Sequence, residues 1–115
     1  EYAFTDDLKK LTSEGQISPY WVNQLSKVER PLARALMSQL VPSNPLGFDA
    51  PPSLLQKGRL FEFFVKQKRN YPEMVCLVRV GDFYETYGVD SVMMVAYAGL
   101  NPMGGKSRAG CPKYN

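Results

Sequence analysis

The residue types present limit the chemistry this chain can carry. Its 115 residues contain no histidine, which removes Ser-His-Asp and Cys-His nucleophilic sites, histidine general bases and histidine-rich metal sites together. Two cysteines, Cys76 and Cys111, are too few for a four-thiolate zinc site or a disulfide-dense scaffold. They leave open a single disulfide or two packed thiols. Gly104-Gly105-Lys106-Ser107 imitates the end of a phosphate-binding loop, but the glycine needed five positions before Gly105 is replaced by Leu100, with Gly99 one residue out of register. The segment reads as a basic loop. Asp82, Glu85 and Asp90 invite a hard-cation site, yet Asp82 and Glu85 project to opposite faces of a continuing strand, and a turn carboxylate plus a surface carboxylate account for them. No paired acid and base can be named. The expectation is a small binding module, not a self-sufficient enzyme, with no catalytic residue, cofactor or metal.

One constellation does suggest a task. In a strand, residues two apart point the same way, so Phe83 and Glu85 share a face while Tyr84 takes the other. On a basic surface such an aromatic can wedge into a base step from the minor groove, and the neighbouring carboxylate can hydrogen-bond a displaced base. Unstacking costs a few kcal/mol and is cheapest where a base is already mispaired or the duplex bends easily, so the wedge would favour mismatches without reading sequence. Beside phosphates, Glu85 must either accept from a base donor or be protonated in the complex.

The elements that position this pair can be read around it. Ser18-Pro19 is an N-cap followed by proline at the first helical position, opening a stretch with Trp21, Val22, Leu25 and Val28 at helical spacing. Pro31 ends or kinks it, and a second helical stretch covers Leu32 to Leu40. Five prolines and glycines between Val41 and Pro52 predict an extended connector, a seam between two halves. Leu54 to Asn70 is helical in pattern, with Leu60, Phe61, Phe64 and Val65 on one side and Lys66, Lys68 and Arg69 near the C-terminal end, where positive charge suits the macrodipole. Phe63 is left off that face. Met74 to Val80 is a β-branched run of strand length, Gly81-Asp82 a turn, and Phe83 to Tyr87 a second strand. Val89 to Ala98 has helix-like spacing with Gly99 as its stop, and the residues beyond Leu100 read as loop. The class expected is α/β, a small mixed sheet flanked by helices. Residues 1–53 form a helical extension and connector, and 54–115 the domain that carries the pair.

Charge separates the same two halves. Residues 1–56 hold five basic and six acidic side chains, whereas residues 57–115 hold nine basic and five acidic ones. The second half is therefore the one suited to an anionic partner. Arg79, Lys106, Arg108 and Lys113 are its candidate phosphate contacts. The longest apolar run, Val92 to Leu100, falls far short of the ~20 residues needed to cross a bilayer.

The run Met74-Val-Cys-Leu-Val-Arg-Val-Gly-Asp-Phe-Tyr-Glu85 resembles the strand and GDFYE motif of the N-terminal mismatch-recognition domain of MutS proteins. Tyr97-Ala-Gly-Leu-Asn-Pro-Met-Gly-Gly105, Ala109-Gly-Cys-Pro112 and the stretch around Asn44-Pro-Leu-Gly-Phe-Asp49 resemble the plant organellar branch of that family. The resemblance spans roughly residues 20–115. It implies Phe83 as the wedge, Glu85 as its hydrogen-bonding partner, mismatched double-stranded DNA as the partner, and residence in a plastid or mitochondrion. The family's recognition domain continues into further helix and strand, then connector, clamp and ATPase domains, whereas this sequence stops at Asn115. That departure admits a second expectation: a structural subunit that keeps the fold, has lost DNA, and meets the protein subunits of an organellar complex such as a photosynthetic assembly or ribosome. Burial of Phe83 would favour the second, and exposure on a basic face the first.

Overall fold

The computed structural model describes Leu8, Leu11 and residues 16–49, 59–103 and 108–112. Ser18 caps the first helix, α1 (Pro19–Leu25), its hydroxyl accepting from the Tyr20 N–H at 3.2 Å with Pro19 in the first turn. Pro31 does not kink this helix. It starts the next, α2 (Pro31–Met37), where a missing N–H costs nothing, and residues 26–30 turn between the two. Helix α3 runs Arg59–Asn70; the expected start at Leu54 lies outside the described residues. Helix α4 spans Val89–Ala98 and ends as expected on Gly99 at φ 74°, with the Leu100 N–H donating back to the Met94 carbonyl.

The strands are β1 (Val78–Val80), β2 (Phe83–Tyr87), β3 (Asn101–Pro102) and β4 (Arg108–Pro112). They form one sheet in the order β1-β2-β4-β3, with all three pairings antiparallel. The α/β class holds, but two local expectations do not. Residues 74–77 are irregular, so the first strand is only its last three residues. The stretch past Leu100 supplies two strands instead of loop, because Phe83 to Tyr87 offers β4 a full pairing edge along five residues. Cys76, in the irregular stretch before β1, is a free thiol, so the single disulfide left open by the sequence is not formed.

Two apolar clusters flank the sheet. Ala109, opposite Thr86, faces α4, and behind α4 lie Trp21, Val22 and Leu25 of α1, Val28, and Ala33, Leu36 and Met37 of α2. The N-terminal helices thus share a core with α4, and Arg30 ties them to it by donating to the Val95 carbonyl at 2.6 Å. On the other side, Leu46, Phe48, Phe64 and Tyr87 pack together, with Phe61 and Val65 at the margin.

The segment from Val41 to Asp49 is not an extended connector. The Asn44 side chain accepts from the Leu46 and Gly47 N–H groups at 3.1 and 2.9 Å and donates to the Phe48 carbonyl at 3.0 Å, folding the loop on itself so that Leu46 and Phe48 are buried. The loop docks where the Val89 N–H donates to the Leu46 carbonyl at 2.7 Å. Gly88 permits this approach: at φ 63°, a Cβ there would lie 2.1 Å from the Leu46 oxygen.

Candidate nucleic-acid interface

The β1–β2 hairpin closes on the pair Val80 and Phe83 around Gly81-Asp82, with glycine at φ 61° in the first central position as a two-residue hairpin turn demands. Phe83 therefore stands at the tip of the sheet, and its side chain is 43% exposed. Alternation along β2 puts Glu85 and Tyr87 on the same face, and exposure falls steeply inward, to 5% at Glu85 and 3% at Tyr87. The inner end is fixed by aromatic packing. Tyr87 lies 4.7 Å from Phe64, edge to face, and 4.8 Å from Phe48.

Glu85 is not the surface carboxylate expected from sequence. Val78 and Gly110 flank it across the sheet, and the Tyr87 hydroxyl donates to its Oε1 at 2.9 Å. A Cβ on Gly110 would come within 2.5 Å of the Met103 sulfur and 3.5 Å of the Glu85 Cγ, so the bare backbone at Gly110 leaves Met103 room beside the carboxylate. Tyr87 was not among the candidate residues, although the period of two that pairs Phe83 with Glu85 reaches Tyr87 at the next step.

Of the candidate phosphate contacts, only Arg79 and the backbone of Arg108 can be placed relative to this pair. Cross-strand partners point to the same face, and Arg79 is the partner of Tyr84. It therefore leaves the reverse face from Phe83, exposed, with Nε 3.5 Å from the Gly81 carbonyl. Arg108 is the partner of Tyr87, four residues and about 14 Å along β2 from Phe83. Lys106 and Lys113 lie outside the described residues.

A second polar centre lies where α3 meets the start of α4. Lys68 is 2% exposed and Asp90 0%, and they form an ion pair with Nζ 2.5 Å from Oδ1. Nζ also donates to the Met74 carbonyl at 2.9 Å and sits 4.2 Å above the Trp21 ring, while the other Asp90 oxygen accepts from the Cys76 N–H at 2.9 Å. The Thr86 hydroxyl donates to the Cys76 carbonyl at 2.9 Å. The irregular residues before β1 are thus pinned by Lys68, Asp90 and Thr86, which sets the position of the hairpin that carries Phe83. Burial pulls the Lys68 ammonium down and pushes the Asp90 carboxyl up, each opposed by its partner's charge. Burial also raises the Cys76 thiol. Among the described residues no cluster of three acids or thiols could hold a metal ion, and no helix is long and apolar enough to cross a membrane.

An exposed phenylalanine and a carboxylate thus occupy adjacent same-face positions of β2 behind a glycine-led turn, followed by a helix whose first turn is locked to the preceding helix. Residues 58–114 match MutS domain I. The chain carries a MutS domain I. It is 39% identical over 105 residues to the DNA mismatch repair protein MSH1, mitochondrial, of Arabidopsis thaliana, across 84% of this chain and 9% of that relative. The similarity is thus of the organellar type within the family, and the chain spans about a tenth of the curated relative it matches. No solved structure matches it. In this MutS domain I the hairpin bearing Phe83, the buried Glu85 and helix α4 all fall within the matched span.

Proposed function

We propose that this MutS domain I is a non-catalytic module that binds double-stranded DNA and favours mispaired sites, with Phe83 as a wedge and Glu85 as the carboxylate that meets the displaced base. The observation that carries the reading is the exposure of Phe83 at the hairpin tip while Glu85 and Tyr87, next along the same face of β2, are buried. An apolar ring held out on a rigid two-residue turn suits insertion into a base step. Similarity to a mismatch repair protein supports the same role. That relative is named as mitochondrial, which supports organellar residence, and immunolocalisation of the native protein distinguishes plastid from mitochondrion.

The test is binding of the chain to matched and mismatched duplexes across a salt series, with Phe83→Ala alongside. The wild type binds the mismatch more tightly. Phe83→Ala removes that preference, losing the order of 1–3 kcal/mol that aromatic stacking on one base contributes, and the salt slope counts phosphate contacts. Equal binding to both duplexes, indifferent to Phe83, would refute it. A second reading, an interaction subunit of an organellar complex, is favoured by one feature: Tyr71, Met74, Val75 and Leu77 are all exposed in the segment leading into edge strand β1. It predicts no DNA binding, and loss of complex association on replacing Met74 and Leu77 by serine.

A further inference from the structure

On the face of β2 that carries Phe83, Glu85 is withdrawn from solvent. Its Oε1 accepts from the Tyr87 hydroxyl at 2.9 Å, and only 5% of the residue is exposed. Tyr87 cannot follow the carboxylate outward, because its ring is wedged between Phe48 and Phe64 at 4.8 and 4.7 Å. Glu85 has three rotatable side-chain bonds and can swing; Tyr87 is anchored. The carboxylate can thus exchange the fixed hydroxyl for a base donor, alongside the further interactions it makes in the fold.

We infer that Tyr87 is a positioning residue for Glu85, a latch whose hydroxyl keeps the carboxylate withdrawn until a mispaired base offers a hydrogen-bond donor that displaces it. This rests on the reading that Phe83 and Glu85 meet DNA. A matched duplex offers no free donor, so Glu85 stays latched and contributes nothing to binding. A mispair releases it, at the cost of the Tyr87 bond. The latch lowers affinity only at sites where Glu85 must be released and sets a threshold that only a good donor passes, because apparent affinity there is reduced by the fraction of molecules in the competent state.

Tyr87→Phe removes the hydroxyl and keeps the ring. Glu85 makes further interactions in the fold, so release is partial. In the free 115-residue chain, carbodiimide-driven amidation read by mass spectrometry labels Glu85 roughly three- to tenfold faster in Tyr87→Phe than in wild type, the range set by loss of one intramolecular hydrogen bond of ordinary net strength. Labelling at exposed Glu73 and Asp82 is unchanged. Mismatched duplex binds the variant tighter by a similar factor, a gain that a mere packing defect would not give. In a Glu85→Ala background Tyr87→Phe has no further effect on DNA. Site-specific 3-fluorotyrosine at position 87, whose more acidic hydroxyl donates more strongly, moves both readouts the opposite way and needs no change in core packing.

Equal labelling of Glu85 in wild type and Tyr87→Phe overturns the latch. So does a wild type that discriminates mismatches, loses this with Phe83→Ala, and yet binds no differently from Tyr87→Phe. A wild type blind to mismatches refutes the DNA role itself and with it the latch's part in recognition, an outcome distinct from the other two.

Discussion

Lys68→Met tests the buried ion pair that fixes the hairpin. The ammonium removed contacts Asp90 at 2.5 Å, the Met74 carbonyl at 2.9 Å and the Trp21 ring at 4.2 Å. The carboxylate left behind is 0% exposed and retains the Cys76 N–H at 2.9 Å as a donor. Methionine fills most of the lysine stem's space, so little cavity forms and the electrostatic loss dominates. Breaking one side of a buried pair costs about 3–5 kcal/mol, and the lost cation–π contact about 1 kcal/mol more. Set against a typical stability of roughly 5–15 kcal/mol, the variant is near the edge of folding, and its melting point drops by about 10 °C or more. Urea titration followed by far-UV circular dichroism gives the value, independently of Trp21, the sole tryptophan, whose surroundings the substitution alters. Lys68→Met with Asp90→Asn removes the orphaned charge yet keeps an acceptor for the Cys76 N–H, and recovers at least half of the loss. If the single substitution costs below about 1 kcal/mol, as an exposed pair would, or if the double variant is no better than the single one, the pair is solvated and this account of the core is wrong.

Two further perturbations follow. Gly88→Ala and Gly99→Ala share a positive φ, 63° and 74°, but only the first meets a neighbour, the Leu46 oxygen at 2.1 Å. Gly99→Ala is expected to cost about 1–2 kcal/mol from backbone conformation alone, and Gly88→Ala clearly more; equal melting points would disprove the docked loop. The Asp90 carboxyl is raised by burial above its ordinary 3.8, so the folded chain binds that proton more tightly than the unfolded one. Its contribution to stability is fully present below 3.8 and is lost as pH rises through the folded value. The stability of the wild type minus that of Asp90→Asn, measured by urea titration, therefore falls over this window; a rise with pH would contradict the assignment.

How much of this was legible depends on how local each cause is. The Ser18-Pro19 start of α1, the Gly99 stop of α4 and the Gly81-Asp82 turn were readable because each is set by one or two residues' own φ preferences and hydrogen-bonding groups. The buried face of α3 was readable from the spacing of Phe61 and Phe64, and Lys68, four residues after Phe64, lies on the same face. Its charge suits the C-terminal end of the helix, but its burial was not legible, because a lysine is almost never buried without a partner, and the partner is 22 residues away at Asp90. β4 was missed because glycine and proline weigh against a strand, and its pairing edge lies more than 20 residues earlier in sequence.

The sequence by itself determined the α/β class, the hairpin and the shared face of Phe83 and Glu85, since alternation and turn chemistry act within a few residues. Only the tertiary structure decided which member of that pair is free. Phe83 is exposed because it stands at the end of the sheet, and Glu85 is withdrawn, accepting from Tyr87, which is held between Phe48 and Phe64. Burial depends on what the rest of the chain brings over a residue, and no property of the residue or its near neighbours encodes that.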